Sequence, residues 1–139
     1  MIVLDTNVIS EPFNPGADPR VRTWLDQQLP ESLFITATNL AELLFGIEIL
    51  PSGKRKKIMA EAMQELLARL FEDRFLTFDR EAAVAYSILV SRARTKEHSI
   101  SVADGQIAAI AAVRGFAVAT RDTAPFVAAG VPVINPWQC

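Results

Sequence analysis

The sequence predicts an α/β fold, a parallel sheet sandwiched between helices. Short apolar runs at Ile2–Leu4, Leu33–Thr36, Arg74–Phe78, Phe116–Thr120 and Val131–Ile134 alternate with helix-like segments along the whole chain, the pattern of strands joined by helical crossovers. Ile2–Leu4 and Leu33–Ile35 are continuously apolar, which suits strands covered on both faces. The first and fourth lead directly into polar segments carrying carboxylates, Asp5 and Asp122. Open α/β sheets keep their ligand crevice at such strand ends.

At 139 residues, 50% hydrophobic and 22% charged, the chain has the size and composition of one globular domain, 1–139. Its longest uncharged stretch, Thr123 to Cys139, holds Pro125, Gly130, Pro132 and Pro136, so no membrane helix is expected. Met1–Leu4 meets Asp5 without a preceding basic segment, unlike a signal peptide. The one cysteine, Cys139, allows no intramolecular disulfide. Together these features imply a cytoplasmic protein with no membrane contact. The net charge of −2 and pI near 5.4 argue against a general nucleic-acid coat, so a polyanionic partner would need a local basic surface or a metal.

Each element has its own signal. Val8–Glu11 suits a short helix after Asp5, closed by the breaker cluster Pro12–Gly16. Pro19 opens a helix running to about Leu29, where Pro30 ends it. Trp24 falls on its apolar face and reads as core. After the second strand, Leu40, Leu43, Leu44 and Ile47 recur at helical spacing, with Asn39 as N-cap and Glu42 at capping-box distance. Pro51–Gly53 separates this helix from a long amphipathic one, Lys54 to Glu72, and the two form an αα-hairpin. Asp79 caps a helix from Arg80 to Lys96, and Ser101–Asp104 opens an Ala-rich helix ending at Gly115. A short helix, Pro125–Ala129, precedes the last strand, placed at an edge because Pro132 cannot donate to a ladder.

Four acids, Asp5, Glu42, Asp104 and Asp122, stand after predicted strands or in predicted first helical turns. One such acid is explained by helix capping, which contributes about 0.3–1 kcal/mol. Several converging on one sheet edge are not, since two carboxylates about 4 Å apart repel by roughly 4 kcal/mol at an effective dielectric near 20. A divalent cation relieves that repulsion. Oxygen-only donors suit Mg²⁺ or Mn²⁺, whereas zinc and copper favour imidazole or thiolate. The chemistry that follows is attack of a metal-bound water on phosphorus, with the metal's charge stabilising the leaving oxygen.

Other chemistries lack their residues. There is no GxxxxGK[ST] loop and no serine nucleophile elbow. His98, the one histidine, lies in a polar loop. Haloacid-dehalogenase-type phosphotransfer wants Asp where Asn7 stands, and a receiver domain wants a late Lys where Arg121 and Asp122 stand.

Taken as a set, Leu4-Asp-Thr-Asn-Val8, Ala41-Glu-Leu43 with Gly46, Ala103–Ala109, Ala119-Thr-Arg-Asp-Thr123 and Asn135-Pro-Trp137 resemble the PIN-domain ribonucleases, and within them the VapC toxins of the FitB-like kind. The resemblance covers essentially the whole chain. It implies a three-layer α/β/α fold with a parallel five-stranded sheet, a Mg²⁺ or Mn²⁺ site, and cleavage of single-stranded RNA. It further implies a homodimer, neutralisation by a cognate antitoxin, and contact with operator DNA only through that antitoxin. Carried over, Asp5, Glu42 and Asp104 match the family's three catalytic, metal-binding acids. Asp122 matches a fourth, more variable position, for which many relatives have Asn and an Asp three residues on. Here Pro125 stands at that later position, so Asp122 itself must supply the charge. Thr6, Asn7 and Thr120 match positions that orient the ligands. Metal-activated water is expected to leave a 5′-phosphate and a 3′-hydroxyl.

Two basic groups, Lys54-Arg55-Lys56-Lys57 and Arg92 with Arg94, are candidate RNA contacts. A reading from a different class is a catalytically silent module acting in an antitoxin-containing, DNA-binding repressor complex. The intact acid set favours the nuclease.

Overall fold

The computed structural model describes all of residues 1–139. Five parallel strands, β1 (Ile2–Leu4), β2 (Leu33–Thr36), β3 (Phe75–Leu76), β4 (Ala117–Ala119) and β5 (Val133–Ile134), lie in the order β3-β2-β1-β4-β5. The register places Val3 beside Phe34 and Val118, and Leu4 beside Ala119. Successive strand residues face opposite ways, and the core divides accordingly. Leu4, Ile35 and Ala119 pack with α1 (Thr6–Ser10), α2 (Pro19–Asp26), α3 (Ala37–Glu48) and α4 (Lys54–Phe71). Val3 and Val118 pack with α5 (Arg80–Thr95), α6 (Val102–Arg114) and α7 (Ala124–Ala128). The three layers and the αα-hairpin of α3 and α4 are therefore as the sequence predicts. No helix is long and apolar enough to cross a membrane.

Several boundaries differ, each for a local reason. The third helix begins at Ala37 rather than after Asn39, because the Thr36 hydroxyl accepts the Asn39 N–H at 3.0 Å while Asn39 Oδ1 accepts from the Thr36 N–H. This is a complete capping box one turn early, and it moves Glu42 from the first turn into the second. Helix α2 stops at Asp26, and Pro30 opens a separate 3-10 turn, Pro30–Ser32, with Leu29 extended before it. Strand β3 is reduced to two residues at the sheet edge, where Arg74 instead donates from Nε to the Leu33 carbonyl at 2.9 Å. Strand β5 forms the other edge. Pro132 lies just outside it, and its carbonyl accepts the Val118 N–H.

Candidate active site

Parallel connectivity brings the C-terminal ends of β1 and β4 side by side. Asp5 follows β1 and is the N-cap of α1, accepting the Thr6 N–H at 2.8 Å. It is only 6% exposed. Its Oδ2 accepts from the Thr120 hydroxyl at 2.8 Å and its Oδ1 from Asn39 Nδ2 at 3.2 Å. Thr120, wholly buried at the end of β4, also accepts the Asp122 N–H at 3.1 Å. Asn7 Oδ1 accepts the Arg121 N–H at 3.4 Å, tying the start of α1 to the loop after β4. The Arg121 guanidinium lies 5.3 Å from the Trp137 ring centroid, a cation–π contact that holds this loop from its other side.

Glu42 is exposed on α3, and its Oε1 accepts from the Thr6 hydroxyl at 2.7 Å. Asp104 is half-buried in the first turn of α6. The Ser101 hydroxyl accepts the Asp104 N–H at 3.1 Å, so one arm of the expected capping box is made. Asp122 is exposed on the loop beyond Thr120. The acids thus share one edge of the sheet.

Their electrostatics agree with their positions. Burial raises the Asp5 carboxyl above the usual aspartate range; the Thr120 hydroxyl and the Thr6 N–H pull it down, and the charges of Asp104 and Glu42 push it up. Burial likewise raises Asp104, with Ser101 lowering it and the charge of Asp122 raising it further. The pairs that feel one another are Asp5 with Glu42, Asp5 with Asp104, and Asp104 with Asp122. No three acidic side chains stand close enough together to grip one ion as they are oriented. The donor chemistry nevertheless fits a hard divalent cation: every donor is oxygen, the partly buried charges repel, and no imidazole or thiolate joins them.

The basic candidates are distributed differently. Lys54, Arg55 and Lys57 are exposed in the first turn of α4, and Arg55 lines a groove that also includes Thr6, Phe13, Glu42 and Met59. Lys56 is engaged instead at the end of α3, donating from Nζ to the Glu48 carbonyl at 2.8 Å. There it opposes the negative end of that helix, which explains a cation at the unfavourable end of its own. Arg92 and Arg94 occupy the last turn of α5, and neither is hydrogen-bonded to the acids.

Sequence reasoning missed Asn39 as part of this cluster. Its signal was the Thr36-x-x-Asn39 spacing directly after β2, which a cap placed one turn late obscured. It also missed Thr38, whose hydroxyl meets Gln106 Oε1 at 3.0 Å and links α3 to α6 beside the acids.

Residues 2–131 match the PIN domain as a family. The VapC ribonuclease Y4jK of Sinorhizobium fredii is 46% identical over 138 residues, 99% of either chain. Toxin FitB of Neisseria gonorrhoeae is 44% identical over 138 residues, again 99% of each. The solved structure of FitAB bound to an IR36 DNA fragment matches with a TM-score of 0.96 at 44% identity, covering 100% of this chain and 97% of that one. The chain therefore belongs to the PIN-domain family, in the VapC- and FitB-like group that it matches over nearly its full length.

Proposed function

We propose that this protein is the toxin of a toxin–antitoxin pair and acts in the cytoplasm as a metal-dependent endoribonuclease on single-stranded RNA. The observation that carries the reading is Asp5. A buried carboxylate sits at a strand end among Glu42, Asp104 and Asp122, held in place by neighbouring donors although burial opposes its charge. A purely structural cap would need none of the other acids. The relatives' names, a ribonuclease and a toxin, point the same way.

Asp5 and Asp104 would hold Mg²⁺ or Mn²⁺, with Glu42 and Asp122 on either side. The cation would supply charge to offset their repulsion, a more acidic water, and stabilisation of the leaving oxygen. The chain's own part is positioning. Thr120 and Asn39 aim the two oxygens of Asp5, and Thr6 occupies Glu42 Oε1, leaving Oε2 without a protein partner to hold a water. Asn7 anchors the loop that carries Asp122. Water then adds to phosphorus as the bond to the 3′ oxygen breaks, giving a 5′-phosphate and, once a proton is taken up, a 3′-hydroxyl. The RNA 2′-hydroxyl takes no covalent part. Arg55, beside Glu42 in the groove, is the basic residue best placed to meet a flanking phosphate.

The partners we assign are RNA, a cognate antitoxin and a second copy of the chain, with operator DNA reached through the antitoxin. The DNA-bound FitAB structure supports that last assignment. The apolar side chains of Leu44, Phe45, Ile49 and Ile58 are exposed on and around the αα-hairpin, a surface suited to a protein contact.

The test is antitoxin-free protein incubated with unstructured and structured RNA in Mg²⁺, in Mn²⁺ and in EDTA, beside Asp5→Asn. Cleavage of unpaired RNA that EDTA abolishes, and that falls at least a hundredfold in Asp5→Asn, is expected. A folded wild type that cuts no RNA in either metal would transfer the assignment to the silent binding module.

A further inference from the structure

We propose that Asn39 is a positioning residue of this site, setting the arrangement of Asp5 and Glu42 relative to each other; the inference rests on the nuclease reading above. Asn39 is wholly buried. Its two side-chain ends face different tasks. Oδ1 accepts from the Thr36 hydroxyl at 2.7 Å and from the Thr36 N–H at 3.3 Å, which completes the start of α3. Nδ2 donates to Asp5 Oδ1 and to the Thr6 hydroxyl, each at 3.2 Å. The Thr6 hydroxyl, having accepted that bond, points its own proton at Glu42 Oε1, 2.7 Å away.

The polarity of this network admits one orientation of the amide. Turning it over would set Oδ1 against the Asp5 carboxylate and Nδ2 against the Thr36 N–H, replacing attraction with repulsion at both ends. A helix start requires only the Oδ1 half. The Nδ2 half does nothing for the helix, and both of its protons are spent on the acid cluster. One rigid group, buried in the protein and attached to both β2 and α3, therefore fixes Asp5 directly and Glu42 through Thr6. Residues that orient metal ligands in this way typically change metal affinity or activity by about 10–100-fold when lost.

The experiment compares wild type, Asn39→Ala and Thr36→Val, following Mn²⁺ binding to each isolated protein by electron paramagnetic resonance, alongside thermal unfolding and RNA-cleavage kinetics. Thr36→Val removes the hydroxyl of the capping box but keeps the Thr36 N–H on Oδ1 and the Nδ2 bonds to Asp5 and Thr6, which still fix the amide's orientation, so it reports what loss of the helix start does. The expected result is Mn²⁺ binding weakened at least tenfold in Asn39→Ala, with kcat reduced and KM for RNA within about threefold of wild type. Thr36→Val should lower the unfolding temperature yet bind Mn²⁺ within about threefold of wild type. If Asn39→Ala does not fold, Asn39→Ser takes its place, its hydroxyl one bond short of the Nδ2 position, and the same losses are expected. Equal effects on Mn²⁺ in the two variants, or wild-type affinity and kcat in the Asn39 variant, would overturn the proposal while leaving the nuclease reading intact. A wild type that neither binds Mn²⁺ nor cuts RNA would overturn both.

Discussion

Asp5 is the residue on which the site's chemistry turns, and its surroundings yield a direct prediction for Thr120. The Thr120 hydroxyl donates to Asp5 Oδ2 and accepts the Asp122 N–H. Thr120→Val keeps the shape but leaves a buried carboxylate and a backbone donor each short of a partner, a loss of about 1–3 kcal/mol. Unfolding in denaturant should show that loss, and RNA cleavage should fall by about 10–100-fold because Asp5 is no longer aimed. The acids could be found in the sequence because each lies just after a strand or within the first two turns of a helix, positions that topology gathers on one edge. Asn39 could not. Its role depends on which way a buried amide is turned, and that is decided by Thr36, Asp5 and Thr6 together, residues up to 34 positions apart in the chain.

Among the elements, α6 is the one whose placement decides where Asp104 sits. Gly105, the next residue, is buried against α5, and a Cβ there would lie 2.6 Å from Tyr86 Cε2 and 3.0 Å from Val90 Cγ2. Glycine thus allows the two helices to approach closely, with Tyr86 braced edge-on by Phe78. Gly105→Ala should cost about 1–3 kcal/mol through overpacking and move the first turn of α6. Denaturant unfolding measures the cost, and a parallel loss of cleavage would show that Asp104 moved with it. Helices α4, α5 and α6 could be bounded from the sequence to within a residue or two, since apolar periodicity, Asp79, Ser101 and Gly115 mark them. The start of α3 was placed late because Asn39 can serve as a cap, and only the bonds from Thr36 show that it does not. The edge strands are shorter than their apolar runs because each has a partner on one side alone.

Across the whole molecule, the buried acids make stability depend on pH. Asp5 and Asp104 both titrate above their ordinary value of 3.8. Below that value they are protonated in the folded and unfolded chain alike. Above it, the unfolded chain loses these protons before the folded chain does, so their contribution to stability is full below 3.8 and is lost as pH rises through the raised folded-state values. Asp18, lowered by its pairing with Arg20, acts in the opposite sense, and only below 3.8. In metal-free protein these two carboxyls should therefore lower the unfolding temperature as pH rises from 3.8 to about 7, opening a gap between the two ends of that range. Millimolar Mn²⁺ should raise the pH 7 value and narrow the gap, as scanning calorimetry would record. The parallel sheet and its helix layers could be anticipated from the alternation of strands and helices, whereas the exposed apolar side chains of the αα-hairpin could not be divided between core and surface. Their periodicity is the same whether a helix packs on its own sheet or on another protein.

The nature of the cut ends examines the proposed chemistry most closely. If carboxylate-held metal and water perform the cleavage, mass spectrometry of the fragments from a defined RNA will show 5′-phosphates and 3′-hydroxyls, with one oxygen from ¹⁸O-labelled water in each new phosphate. Fragments ending in 2′,3′-cyclic phosphates and 5′-hydroxyls would contradict the account, because the RNA's own hydroxyl would then be the nucleophile.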